Sequence, residues 1–132
     1  MSQETQRLIR ESYAALSRAD LDAWVAGVAP KAELHELPDM PDTAVYRGHE
    51  GFRAWAESVM QLVEWWEWTP EEFVFDGDDV QVVRVRLEVR GQGSGVPIEQ
   101  AVFHVFRFEN GLLNEVRGFT NRQDALEAAG VE

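Results

Sequence analysis

The first thirty residues carry the hydrophobic spacing of helices. Apolar positions that recur every three or four residues predict a helix over residues 3–17, with a covered stripe of Leu8, Ile9, Tyr13 and Leu16. Asp20 is a suitable N-cap for a second, short helix through Val28. Pro30 is expected to end that helix, because proline cannot continue the hydrogen-bond ladder. The chain therefore begins with a predicted helical hairpin.

A longer helix is predicted in the middle of the chain. A strand over residues 32–37 and a turn-rich loop over residues 38–42 precede it. After the run Gly48-His49-Glu50-Gly51, apolar residues follow the i, i+3, i+4, i+7 pattern at Phe52, Trp55, Ala56, Val59, Leu62, Val63 and Trp66. This pattern predicts a third helix that is long and faces the core.

After Pro70 the pattern changes to strict alternation, which is typical of strands. Phe73 and Phe75 alternate with Glu72 and Val74. Further on, Val83, Val85, Leu87 and Val89 alternate with Arg84, Arg86, Glu88 and Arg90. One face of this sheet should thus be apolar and the other charged.

The last third of the chain predicts a hairpin and a closing helix. Residues 91–97 are expected to form a flexible connector, followed by strands over 98–108 and 112–120. Asn110-Gly111, between those strands, is a dipeptide favoured in type I′ turns. A short helix follows over residues 122–129, with Asn121 as its N-cap and Gly130 as its C-terminal stop.

This order of elements predicts an α+β fold. Two helices, a strand, a helix and then about four antiparallel strands are typical of helices segregated to one face of a sheet. A curved sheet with helices on its inner face encloses a cone, and a ligand would bind inside it. The length of 132 residues favours one domain over 1–132.

Composition narrows the possible partners. With 24 acidic and 12 basic residues the formal charge is −12, which opposes binding to nucleic acid or to an anionic membrane. The sequence has no cysteine, so disulfides and thiolate chemistry are excluded. The first residues have neither a cationic region nor an apolar run, so we expect a cytoplasmic protein. The run Gly91-Gln92-Gly93-Ser94-Gly95 joins two strands and opens no helix, so no dinucleotide loop and no cofactor are expected.

Several short motifs together resemble a known family. They are Tyr13-Ala14-Ala15-Leu16 with Ala19-Asp20-Leu21-Asp22, Tyr46-Arg47-Gly48-His49-Glu50-Gly51, and Phe106-Arg107-Phe108-Glu109-Asn110-Gly111. Their order and spacing, over nearly the whole chain, resemble the SnoaL-like group of the nuclear transport factor 2-like superfamily, which also holds the ketosteroid isomerases. The resemblance implies a cone-shaped α+β fold and a homodimer. It also implies a range of roles from isomerase, polyketide cyclase or epoxide hydrolase to non-catalytic protein.

The resemblance points to two catalytic candidates. It sets Glu36 where the isomerases keep the carboxylate that moves a proton next to a carbonyl group, and an apolar cavity would make that carboxylate a stronger base. It sets His104 where the isomerases place a hydrogen-bond donor to the developing oxyanion. The alternatives are a solvated strand-end glutamate and a core histidine bonded to a backbone carbonyl.

The sequence also departs from the isomerase and cyclase patterns. The isomerase tyrosine of the first helix corresponds to Ser12, and Tyr13 is one position out, which predicts a re-aimed hydroxyl. Where many relatives carry an aspartate after the last strand this chain has Asn121, which cannot act as an acid or base. The arginine and aspartate pair of the epoxide hydrolases has no counterpart at matching spacing.

Eight residues are predicted to contact a small hydrophobic ligand: Tyr13, Trp24, Tyr46, Trp55, Val102, Phe106, Arg117 and Phe119. The aromatic residues suit a flat ligand by stacking, although aromatic residues at helical spacing are also typical of an ordinary core. Arg117 would pair with Glu36 or hold an anionic ligand, unless it forms an ordinary salt bridge. A metal site from Glu33, His35 and His104 would need the opposite strand parity, so none is expected.

Two functional hypotheses remain open from the sequence. The first is a cofactor-independent enzyme that moves a proton on a hydrophobic carbonyl compound, with Glu36 as base and His104 polarising the oxygen. The second is a non-catalytic binding or dimerisation module in which the same polar positions are structural. In either case the charged strand face around Arg84 and Arg86 predicts a salt-bridged homodimer interface.

Overall fold

Helices and strands account for most of the chain in a computed structural model that describes residues 2–36, 45–93 and 95–131. The predicted loop over residues 38–42 lies outside the described residues. The elements are α1 (Ser2–Ser17), α2 (Leu21–Ala26), β1 (Val28–His35), β2 (Val45–Arg47), α3 (Gly48–Met60), β3 (Val63–Asp76), β4 (Val80–Gly91), β5 (Pro97–Glu109), β6 (Leu112–Phe119) and α4 (Arg122–Ala129).

The described strands form one six-stranded sheet in the order β2-β1-β6-β5-β4-β3. Consecutive strands β3 to β6 pair antiparallel, as the alternating pattern predicts. β1 pairs parallel with β6, so the sheet is mixed rather than purely antiparallel. The predicted α+β class is confirmed, and the parallel pair brings the first strand next to the last.

Three helices lie on one face of the sheet and the fourth on the other. Residues of α1, α2 and α3 share the main core cluster with the inner face of the sheet. Ala125 of α4 instead packs in a second cluster with Val82, Phe103, Val105 and Phe119. The predicted helices on the inner face are thus α1, α2 and α3, and α4 covers the opposite face. Among the described residues, no helix is long and apolar enough to cross a membrane.

The third helix is shorter than predicted. It ends at Met60, and β3 begins at Val63, ten residues before the first predicted strand position at Phe73. Trp66 fits a helical stripe by spacing alone, yet in β3 its indole Nε1 donates to the carbonyl of Leu16 at 2.9 Å. β3 tolerates Pro70 because it is an edge strand, and its register shifts between Pro70 and Glu72.

The region around Pro30 also differs from the prediction. α2 ends at Ala26 and is capped by Gly27, whose N–H donates to the carbonyl of Val25. Pro30 lies inside β1, where the pairing with β6 is irregular between Val28 and Glu33. Because no regular hydrogen-bond ladder runs through this stretch, the missing N–H of the proline breaks none. The three-residue strand β2 is too short to show a sequence pattern.

Capping and turn predictions are confirmed. The Asp20 carboxylate accepts from the Ala23 N–H at 3.2 Å at the start of α2. The Asn121 side chain accepts from the Asp124 N–H at 2.8 Å at the start of α4, and Gly130 ends that helix in the left-handed conformation. Asn110 and Gly111 have φ of 55° and 79°, as a type I′ turn requires.

Candidate functional site

A cavity of about 260 Å³ lies between the inner face of the sheet and the helices α1, α2 and α3. Most of its wall is apolar. Five of the eight predicted ligand contacts line it: Tyr13, Trp24, Trp55, Val102 and Phe106. Both catalytic candidates, Glu36 and His104, line the same cavity. The cavity is thus a hydrophobic chamber with a small number of polar groups, which is the usual form of a small-molecule site.

Aromatic rings form a continuous part of this wall. Ring centroids are 5.9 Å apart for Trp24 and Trp55, 6.1 Å for Trp55 and Trp68, and 5.8 Å for Trp68 and His104. Such a wall offers flat faces and ring edges to a planar ligand. Trp68 is absent from the predicted contacts because the helical spacing around Trp66 hides the alternation of β3.

His104 is held by a side chain of α1. The Tyr13 hydroxyl lies 2.6 Å from Nδ1 of His104, and the two rings stack at 5.8 Å with an interplanar angle of 13°. The Tyr13 hydroxyl thus points at His104, and Ser12 and Tyr13 both line the cavity. The reading of His104 as bonded to a backbone carbonyl gives way to a tyrosine partner.

The electrostatics of this pair favour one tautomer. Burial lowers the pKa of His104 to about 4, so the imidazole is neutral near pH 7. Burial also raises the pKa of Tyr13 well above its ordinary value, so the hydroxyl keeps its proton. If the Tyr13 hydroxyl donates its proton to Nδ1, then Nδ1 is the acceptor nitrogen and the single N–H of the neutral imidazole is on Nε2. Among the described residues Nε2 has no protein partner, so it is available to a ligand in the cavity.

The sheet register brings Glu36 close to His104. His35 pairs with Arg117 of β6, and Gly118, the next residue of β6, pairs with His104 of β5. Glu36 follows His35 and is half-buried. Two strand spacings put the backbones of Glu36 and His104 about 10 Å apart, with Gly118 of β6 between them in the register. The carboxylate and the imidazole thus project from nearby points of one wall.

Three predicted ligand contacts lie elsewhere. Arg117 and Phe119 have the opposite strand parity to Val116 and Gly118, which line the cavity. Phe119 packs in the second cluster under α4, and the Arg117 guanidinium carbon lies 5.7 Å from the centre of its ring. Arg117 therefore does not face the cavity with Glu36. Tyr46 pairs with Leu34 and packs against the main core, but it does not line the cavity.

A second polar cluster lies on the outer face of β1 and β6. Nε2 of His35 is 3.0 Å from Glu33 and 3.7 Å from Glu115. These three side chains are close enough to hold a metal ion, in place of the Glu33, His35 and His104 set considered from the sequence. However, Arg47 lies 3.4 Å from Glu33 and Arg107 lies 3.7 Å from Glu115, so both carboxylates already have cationic partners. The hydrogen bond from His35 and the neighbouring Arg47 lower the pKa of Glu33.

Most of this chain matches one known protein family. The family described as the SnoaL-like domain matches residues 9–116. The chain belongs to the SnoaL-like family. It is also 33% identical over 92 residues to the phenazine biosynthesis protein PhzA2 of Pseudomonas aeruginosa, a match that covers 66% of this chain and 56% of the relative. The chain thus spans just over half the length of that relative.

Two solved structures share the architecture of this chain. An NTF2-like protein of unknown function from Burkholderia pseudomallei is 25% identical, with a TM-score of 0.77 and coverage of 96% of this chain and 97% of the other. TerC, co-crystallised with polyporic acid, is 20% identical, with a TM-score of 0.79 and the same coverage of 96% and 97%. These similarities establish the nuclear transport factor 2-like fold.

Proposed function

We propose that this SnoaL-like protein binds a small, mainly apolar carbonyl compound in the cavity and moves a proton on it. The observation that carries the proposal is the pairing of a neutral, tyrosine-held imidazole with a carboxylate on one apolar wall. A neutral imidazole donates a hydrogen bond without bringing a charge into the cavity. The polyporic acid crystallised with TerC and the biosynthetic role in the name of PhzA2 support a small organic ligand.

The chemistry needs only these two groups and the ligand. The Glu36 carboxylate takes a proton from the carbon next to the carbonyl group, and the electrons of that C–H bond form an enolate. Nε2–H of His104 donates to the enolate oxygen and stabilises the charge that develops there. Glu36 then returns the proton to another carbon of the conjugated system, so the product is an isomer of the substrate. Tyr13 positions the imidazole and keeps its proton on Nε2.

Binding is tested with 2-naphthol, a flat, mainly apolar molecule with one oxygen. We expect saturable binding of one molecule per chain by calorimetry. Val102→Trp should abolish it, because Val102 is 4% exposed and lines the cavity. Ala101→Trp is the matched control, since Ala101 pairs with Arg86 on the outer face. Equal binding by both variants would place the ligand outside the cavity. Binding without turnover of any carbonyl compound would favour the non-catalytic module.

We also propose that two copies associate through the outer face of β3 and β4 that α4 leaves uncovered. Trp65 is 44% exposed and pairs with Arg90 on this face. Arg84 and Arg86 lie 3.4 and 3.3 Å from Glu71 within the chain, so much of the charge is already compensated. A face with an exposed tryptophan and compensated charges suits a mixed apolar and salt-bridged interface.

Sedimentation velocity at two protein concentrations tests this association. We expect a dimer that Trp65→Glu dissociates, because the substitution replaces the exposed apolar side chain of this face with a charge. Leu62→Glu is the control, since Leu62 is 71% exposed but lies in the turn between α3 and β3. A monomer at both concentrations in the unaltered protein would contradict the proposal.

A further inference from the structure

The residue between Glu36 and His104 is a glycine without a backbone reason to be one. Gly118 lies inside β6, is buried and pairs in regular register with His104. Extended backbone of this kind suits any residue, and glycine weakens a strand interior. Glycine inside a strand often marks a place where a ligand approaches the backbone closely. Gly118 lines the cavity, so the ligand is the partner to consider here.

The register shows what a side chain at this position would do. Residues directly opposite each other in adjacent strands share a face, so a side chain at position 118 would project into the cavity beside the His104 imidazole. On its other side is β1, where Glu36 follows the paired residue His35. On β4, the residue that pairs with His104 is Val83. Unlike Gly118, Val83 has a side chain, and it is fully buried in the core. Gly118 carries no side chain, so β6 places no side chain between the carboxylate and the imidazole at this point of the cavity wall.

We propose that Gly118 is the specificity-determining residue of this cavity, because its missing side chain leaves a slot that admits a planar ring lying against β6. The inference rests on the proposed function and names its substrate class: a flat, ring-containing carbonyl compound that reaches Glu36 and His104 together. The aromatic wall formed by Trp55 and Trp68 suits the same flat shape. A compound with bulky substituents out of the ring plane does not fit this slot.

The test compares two probes of the same chemistry and different width, phenol and 2-naphthol, by calorimetry. Gly118→Val should weaken 2-naphthol binding by at least about tenfold and phenol binding much less, because added methyl groups in an apolar pocket discriminate by roughly that factor or more. Gly118→Ala should give a smaller change in the same direction. Ala101→Val adds the same bulk to β5 on the outer face and should change neither affinity.

The ratio of the 2-naphthol and phenol affinities distinguishes a specific steric effect at Gly118 from a general loss of structure. A variant that merely loosens the fold lowers both affinities together, and that result would overturn the role of Gly118. If the unaltered protein binds both probes and Gly118→Val keeps the ratio, the slot is wrong while the proposed binding function stands. If the unaltered protein binds neither probe, both proposals fail. Should Gly118→Val not fold, Gly118→Ala and Gly118→Ser give the same ratio test with smaller side chains.

Discussion

Replacing Glu36 with glutamine is expected to slow the isomerisation of 3-cyclohexenone to its conjugated isomer by roughly 10²–10⁴-fold, the usual contribution of a general base. Glutamine keeps the shape of the side chain but cannot accept the substrate proton at neutral pH. Glu36 is half-buried at the end of β1, so the free energy of unfolding should stay within about 1 kcal/mol of the unaltered protein. Absorbance of the conjugated product measures the rate, and urea denaturation measures the stability.

Glu99→Gln is the matched control for this experiment. Glu99 pairs with Glu88 on the outer face of the sheet, so its loss changes the net charge equally without touching the cavity. We expect the control to isomerise the substrate at the unaltered rate. Equal rates for Glu36→Gln and the unaltered protein would remove Glu36 from the mechanism. A large fall in stability without any turnover to lose would assign it a structural role.

The second large effect is a loss of stability in mild acid that originates at His104. Its pKa is about 4 in the folded protein, because burial disfavours the charged imidazole, and about 6.5 in the unfolded chain. Between these values the unfolded chain binds the extra proton, so the free energy of unfolding falls as the pH falls from about 6.5 to about 4. The shift corresponds to a loss on the order of 3 kcal/mol over that window. Above about pH 6.5 His104 contributes no pH dependence.

His104→Gln isolates this contribution. Glutamine does not titrate, so the difference in unfolding free energy between pH 7 and pH 4.5 should be smaller in the variant than in the unaltered protein. Among the described residues, the titratable groups that line the cavity with His104 are the Tyr13 hydroxyl, which stays protonated in this range, Glu36, and His35, whose imidazole points to Glu33 and Glu115 on the outer face. Both proteins share these groups. His49→Gln serves as the control, because the His49 imidazole bonds the carbonyl of Val28 away from the cavity. Parallel pH profiles for His104→Gln and the unaltered protein would contradict the burial of a neutral imidazole.

Local chemistry explains which parts of the fold the sequence predicts well. The caps at Asp20 and Asn121 and the turn at Asn110 are set by side chains and backbone angles within a few residues, so they are readable without the tertiary structure. The start of β3 is not readable in this way, since Trp66 satisfies a helical spacing and its place in a strand depends on the carbonyl of Leu16, 50 residues away. Tertiary contacts decide such ambiguous segments.

In the candidate site, too, the sequence predicts what local strand geometry sets and not what tertiary packing sets. Strand parity predicts that His104, Val102 and Phe106 share a face, and all three line the cavity. Parity within β6 alone does not determine which of its two faces is the inner one, and Arg117 and Phe119 lie on the outer face. The partner of His104 lies on α1, 91 residues earlier in the chain, and only the packing of that helix aims the Tyr13 hydroxyl at the imidazole.

The parallel pairing of β1 with β6 has a consequence for how the candidate site is assembled during folding. β1 leaves the first helical hairpin early in synthesis, but the strand that seats it beside His104 emerges only after α3 and three further strands. Contacts between such distant segments form late, because closing a long loop costs entropy before any pairing compensates it. Glu36 and His104 therefore come together only when the sheet is almost complete. Partly folded chains that already contain helices and hairpins should be catalytically silent, so recovery of turnover after denaturation would report the final closing step.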